Sequence, residues 1–273
     1  MTPLHRLSLN QATVNRLSLT EAVDLCVRHE IGAIGLWREQ VAAAGLAAAA
    51  ATVAGAGLRV SSLCRGGFFT HADPAARQAA IADNEAAIAE AAALGTSTLV
   101  LVSGGLVPGH RDLGLARRMI ADAIAELVPA AQQHGVRLGI EALHPVFAAD
   151  RCVITRLGEA VDLAAQFPAD AVGVVVDTYH LWWDAALLDD IARAGERIVS
   201  YQVCDWILPL PADTLLGRGH VGDGYIDFPP VTAAVTKAGY TGDIEVEIFN
   251  AEIWAAPADQ TAATVHDRFP LIF

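Results

Sequence analysis

The sequence predicts an α/β fold, a single (β/α)8 TIM barrel spanning residues 1–273. Three observations carry that expectation. Eight short runs rich in β-branched residues and leucine alternate with eight longer, alanine-rich, helix-forming runs, which is the pattern of a parallel sheet with crossover helices. No shift in composition marks a linker, and the 273 residues match the roughly 250 that such a barrel needs. No G-x-G-x-x-G follows the first apolar run and no P-loop occurs, which disfavours the open nucleotide-binding sheets.

The elements follow in order. Strands are expected at LHRLSL (4–9), AIGLW (33–37), LRVSSLC (58–64), STLVLVS (97–103), VRLGIEAL (136–143), AVGVVVD (171–177), RIVSYQVCD (197–205) and DIEVEIF (243–249). Each is a short apolar run, as strands buried on both faces require. Helices are expected at 19–29, 39–54, 74–94, 112–134, 156–167, 184–195, 229–238 and 258–268. Gly95, Gly135 and Gly239 fall where helices should stop before the next strand begins.

Composition narrows the function classes. The chain has 18 Lys+Arg against 31 Asp+Glu, a net charge of −13, so no nucleic-acid or anionic membrane partner is expected. The only lysine, Lys237, falls in a helix just before a strand, at the face of a barrel that serves stability, which is a poor place for imine chemistry. Cys26, Cys64, Cys152 and Cys204 are far apart and form no C-x-x-C pair, so reduced thiols in a cytoplasmic setting are expected. MTPLHRLSLN lacks a basic start and an apolar run, and no signal peptide is expected.

Chemistry in such barrels gathers where the strands end. The first four strand ends offer Asn10, Trp37, Arg65 with Gly66-Gly67, and Ser103 with Gly104-Gly105. The last four offer Glu141 then His144, Asp177 then His180, Gln202 then Asp205, and Glu247. On the last strand Glu245 shares a face with Glu247, and the position nearer the C-terminal end is the candidate. Each carboxylate buried there costs several kcal/mol, by order of magnitude, unless a cation neutralises it. Arg218 is the nearest plausible side-chain cation, so a divalent metal ion is the economical partner. Three carboxylates and one amide oxygen form a hard ligand set suited to Mn²⁺ first, with Mg²⁺ or Co²⁺ as alternatives. Asp177 reads equally as the cap of a following helix, and His144 and His180 as structural histidines. Asp205 reads as a loop cap or as a group that orients a ligand.

The segments GIEALHP (139–145), VVVDTYHLWWD (174–184), YQVCDW (201–206), GHVGDGYIDF (219–228) and IEVEIFN (244–250) resemble the xylose-isomerase-like barrels of the sugar-phosphate isomerase/epimerase superfamily. That superfamily includes ketose 3-epimerases, inosose dehydratases and 3-dehydroshikimate dehydratases. The resemblance implies Glu141, Asp177, Gln202 and Glu247 as metal ligands, with His180 and Arg218 around the substrate. The third ligand is commonly histidine in these families, and this chain has Gln202, as some dehydratase-like relatives do.

A metal between carboxylates suits proton abstraction beside a carbonyl. Glu141 and Glu247 are the expected acid and base, with His144 or His180 assisting a leaving group. Trp37, Arg65 and Trp183 are expected to line the substrate, the aromatics as a stacking surface for a sugar ring. The expected activity is isomerisation or epimerisation of a non-phosphorylated sugar or keto-sugar, since no glycine loop with an adjacent lysine is present to cradle phosphate. The alternative is a lyase of the same superfamily. It would be a dehydratase, or the large subunit of a C-glycoside deglycosidase acting on 3-oxo-glycosides with a small second subunit. The superfamily's AP endonucleases fit poorly with an acidic chain, and a barrel that only binds a polyol has no need of three converging acids. Related barrels commonly form homo-oligomers. Residues 206–227 are long for a loop and are expected to act as a lid or a docking segment.

Overall fold

The computed structural model describes residues 3–273 and closes eight parallel strands into a barrel. The barrel strands are β1 (Leu7–Asn10), β2 (Ala33–Trp37), β3 (Arg59–Gly67), β4 (Thr98–Val102), β5 (Arg137–Glu141), β6 (Val172–Asp177), β7 (Ile198–Val203) and β10 (Ile244–Val246). Around the barrel they run β1-β10-β7-β6-β5-β4-β3-β2. β8 (Asp205–Trp206) and β9 (Arg218–Gly219) form a separate antiparallel ribbon inside the long connection.

The outer helices begin and end where side chains satisfy their free backbone groups. In α1 (Leu19–Arg28), Ser18 and Glu21 form a reciprocal capping box. α4 (Pro74–Ala93, after α2 and α3) is capped by Asp73 with Pro74 in its first turn. α5 (Leu113–His134) is capped by Asp112 and stops at Gly135, whose φ of 66° is left-handed.

Three elements depart from expectation. The helix expected over 39–54 is two helices, α2 (Arg38–Ala44) and α3 (Leu46–Gly55), because Gly45 breaks it at φ 81°. The last strand stops at Val246: the Thr13 hydroxyl donates to the Val246 carbonyl and takes the Ile248 N–H, diverting the chain. The short α7 (Thr178–Leu181), which follows α6 (Leu157–Ala164), was not expected; Asp177 caps it directly off the strand. α8 (Leu187–Ala194) and α9 (Phe228–Lys237) follow, and then α10 (Ala251–Ala255) and α11 (Ala258–Arg268) close the ring. Among the described residues no helix is long and apolar enough to cross a membrane.

Most of the apolar core lies between barrel and helices, while a small second cluster of Cys64, Val100, Val175 and Val199 fills the barrel itself. Gly139 makes that inner packing feasible, since a Cβ there would lie 2.8 Å from Val199 and 3.0 Å from Val175. Gly139→Ala is therefore expected to destabilise the fold by about 1–3 kcal/mol. Urea unfolding would read this as a lower midpoint at unchanged slope; an unchanged or raised midpoint would show that the barrel interior has slack.

Candidate active site

Four buried carboxylates gather at the C-terminal end of the barrel, at two depths. Glu245 lies within β10, and Gly35 on β2 leaves room for it, since a Cβ there would stand 2.6 Å from the carboxyl carbon. Its oxygens accept from Asn10 Nδ2 at 2.6 Å, Ser62 Oγ at 2.9 Å, Gln202 Nε2 at 3.0 Å and the Ser61 hydroxyl. These neutral donors hold a buried anion without a counter-ion. Glu247, two residues on and on the same face, reaches the mouth instead. Its Oε2 accepts from Arg218 Nη1 at 3.1 Å.

Asp177 caps a helix, as read from the sequence, and also pairs with Arg218. Its Oδ1 takes the Tyr179 N–H at 2.8 Å, capping α7, and its Oδ2 accepts from Arg218 Nη1 at 3.0 Å. Glu141, ending β5, brings a carboxylate oxygen within 4.8 Å of ligand atoms of Asp177 and His180. Gln202 lies in register with Asp177 on one side and Glu245 on the other. Its amide nitrogen is committed to Glu245, while its buried Oε1 has no hydrogen-bond partner.

Arg218 is the centre of the arrangement. The β8–β9 ribbon carries it back into the mouth, where it is 2 % exposed and lies 4.6 Å from the Tyr179 ring centre and 5.1 Å from that of Phe249. One nitrogen serves Asp177, Glu247 and the Glu247 carbonyl; the other lies 3.1 Å from His180 Nε2. Asp205 pins the returning chain by accepting the N–H groups of Trp206, Gly222, Gly224 and Ile226 at 2.8–3.0 Å. Asp205 is thus a loop cap. The second half of the long connection is tied down, and it delivers Arg218.

One arginine faces three mouth carboxylates, and the protonation equilibria reflect the shortfall. Burial, with Asp177 and Glu247 adding repulsion, pushes Glu141 well above the usual carboxylate range. Burial also raises Asp177, against the pull of Arg218, and raises Glu247 to about 8. Burial and the Arg218 charge hold His180 well below the usual histidine value, so its ring is neutral. Arg218 itself is pushed further up, because the carboxylates around it outweigh the effect of burial.

These groups border a cavity of about 160 Å³. Glu141, Glu247, His180, Arg218, Trp37 and Arg65 line it, together with Arg151, Cys64 and Phe249, which the sequence reading missed. Arg151 sits on a loop with no motif to mark it. His144 and Trp183, expected in the site, do not line the cavity. The His144 ring packs between Trp206 and Trp183 and its Nδ1 accepts the Val146 N–H, while the His144 backbone N–H donates to His180 Nδ1. Trp183 is turned outward, with its indole N–H on the His180 carbonyl. A larger cavity of about 710 Å³ opens at the opposite end of the barrel, among Arg59, Ser97, Arg137 and Tyr240, away from the converging acids.

Removing Arg218 leaves Asp177 and Glu247 without their cation. Arg218→Met is expected to lower the stability of metal-free protein by about 3 kcal/mol, read from urea unfolding in a chelator. An unchanged midpoint would mean that protons alone suffice to hold the acids.

A family model described as the xylose isomerase-like TIM barrel matches residues 21–268. Inosose isomerase from Halalkalibacterium halodurans is 24% identical over 204 residues, covering 73% of this chain and 70% of that protein. The 3-dehydroshikimate dehydratase of Pseudomonas putida is 32% identical over 177 residues, covering 62% of this chain but only 26% of the dehydratase. A solved protein of Sinorhizobium meliloti 1021 is 45% identical, with a TM-score of 0.94 and coverage of 97% of this chain and 98% of that one. The IOLI protein, solved with a binding zinc atom, shares the fold at a TM-score of 0.84 and 20% identity, with 98% of each chain covered. The closed barrel and the match over residues 21–268 place the chain in the xylose isomerase-like TIM barrel family.

Proposed function

We propose that this chain is a divalent-metal-dependent isomerase or epimerase that removes a proton beside the carbonyl of a non-phosphorylated, polyhydroxylated ketone. The observation that carries the reading is the unbalanced acid cluster: three mouth carboxylates around one arginine, beside a buried amide oxygen with no partner. Glu141, Asp177, Gln202 and Glu247 would hold the ion. The fit rests on the clustering of Glu141, Asp177 and His180, whose ligand atoms lie within 4.8 Å of one another, and on the free Gln202 oxygen. The hard oxygen set favours Mn²⁺, with Mg²⁺ and Co²⁺ next, and the zinc of the IOLI protein adds Zn²⁺ to the candidates.

When bound, the ion supplies electrophilic polarisation of a carbonyl and its neighbouring hydroxyl. Glu141 and Glu247 rise from strands separated by β6 and β7, so they meet a bound molecule from different sides. One carboxylate takes the proton and the other returns it; return to the neighbouring carbon isomerises, and return to the opposite face epimerises. Without a metal ion, burial raises Glu247 to about 8, and a bound cation would bring it back toward the ionised form that can take a proton. His180 is neutral and held in place by the His144 backbone N–H on its Nδ1, and Trp37 and Phe249 wall off water. A second reading, loss of a leaving group β to the carbanion, is supported by the 32% identity to the dehydratase.

Solvent deuterium exchange followed by NMR tests the proposal, with Mn²⁺-loaded protein and a panel of ketoses and inososes in D₂O, the metal being chelated before spectra are taken. Deuterium is expected beside the carbonyl only with metal present. Glu247→Gln and Asp177→Asn are expected to lose at least ~100-fold of the rate while keeping wild-type circular dichroism. Undiminished exchange in both variants would remove these residues from the chemistry, and release of water would favour the lyase.

A further inference from the structure

Two arginines that line the cavity lack the close carboxylate partners that several other arginines of the chain have. Arg38, Arg59, Arg156 and Arg218 each close on a carboxylate at 2.6–3.0 Å. Arg65, on β3, has no carboxylate within ion-pair distance among the described residues; its guanidinium lies 4.4 Å from the Phe68 ring centre and 5.9 Å from that of Trp37. The Nε of Arg151 is buried without a hydrogen-bond partner, and its nearest acid is the mostly exposed Asp150 at 3.9 Å. Both side chains line the same cavity as Glu141 and Glu247. Burial lowers the Arg65 pKa and the Arg151 charge lowers it further, against an opposing effect from Glu39, so the two guanidiniums act on one another. A chain with 31 acidic residues leaves Arg65 without an ion pair among the described residues, and Arg151 with only the long 3.9 Å contact to Asp150, where a ligand would enter.

We propose that the substrate of this site carries a carboxylate, received by Arg65 and Arg151 at the rim. Its orientation, with the carbonyl end toward Glu141 and Glu247, rests on the function proposed above. The acids below would repel an anion, so the charged end belongs at the rim. Planar guanidiniums suit a carboxylate through paired N–H···O bonds. A phosphate is disfavoured because the nearby loop amides are already committed. Gly67 N–H donates to Asn84 Oδ1 at 2.6 Å, Phe68 N–H to the Val102 carbonyl at 2.8 Å, and Gly104 N–H to the Arg151 carbonyl at 3.0 Å. These three amides are therefore not free to hold phosphate oxygens.

Calorimetric titration with three unreactive probes tests this: shikimate as a cyclic polyol carboxylate, myo-inositol as its uncharged counterpart, and ribose 5-phosphate. Shikimate is expected to bind at least about tenfold more tightly than myo-inositol, and Arg65→Gln or Arg151→Gln each to erase about tenfold of that preference. Arg65→Lys should retain part of it, and myo-inositol binding should be unmoved by any of the three. No preference for shikimate, whether both probes bind or neither does, overturns the proposal, as does tighter binding of ribose 5-phosphate. Because binding is read without turnover, the two proposals fail separately. A shikimate preference without deuterium exchange would overturn the chemistry and leave the charge assignment standing.

Discussion

The structure turns on Arg218, one guanidinium held between Asp177 and Glu247 in a place that water scarcely reaches. A buried ion pair of this kind adds little stability compared with apolar packing, but it is expensive to leave half-made. The surrounding elements serve that requirement. The β8–β9 ribbon returns the chain to the mouth, the Asp205 carboxylate fixes the return by four amide bonds, and Tyr179 and Phe249 close over the guanidinium. Asn250 holds the Arg218 carbonyl at 2.8 Å.

Beneath that pair the barrel separates two glutamates by function. Glu245 is satisfied by amide and hydroxyl donors from β1, β3 and β7 and has no need of a cation. In doing so it fixes the Gln202 amide with its nitrogen inward, leaving the oxygen free. Glu247, one pleat higher, is hydrogen-bonded by Arg218, and Glu141 clusters with Asp177 and His180. Two glutamates two residues apart, one in the last strand and one just past its end, therefore differ in depth and in partners.

Much of this was legible in the sequence. Eight alternations of apolar and alanine-rich segments encode the barrel, and acids at the ends of β5, β6 and β10 mark the mouth, because both patterns are local along the chain. Position along the strand also separated Glu247 from Glu245. Contacts set by loops were not legible. His144 follows Glu141 by three residues yet turns away to pack on Trp183 and Trp206, and Trp183 faces solvent. Arg151 reaches the cavity from a loop whose course depends on the Gly104–Cys152 bridge, a contact 48 residues apart in the chain. The break at Gly45 was visible as a glycine but not as a chain reversal, since glycine tolerates both.

The central claim is that Glu141, Asp177 and Glu247, of which only Asp177 and Glu247 are paired with an arginine among the described residues, take up a divalent ion together with Gln202. Equilibrium titration of chelator-treated protein with Mn²⁺, followed by the paramagnetic resonance of the free ion, measures this directly. The account predicts one ion bound per chain, with the site weakened in Glu141→Gln and in Gln202→Leu. Retention of no ion, or one ion bound with equal affinity in both variants, would contradict it.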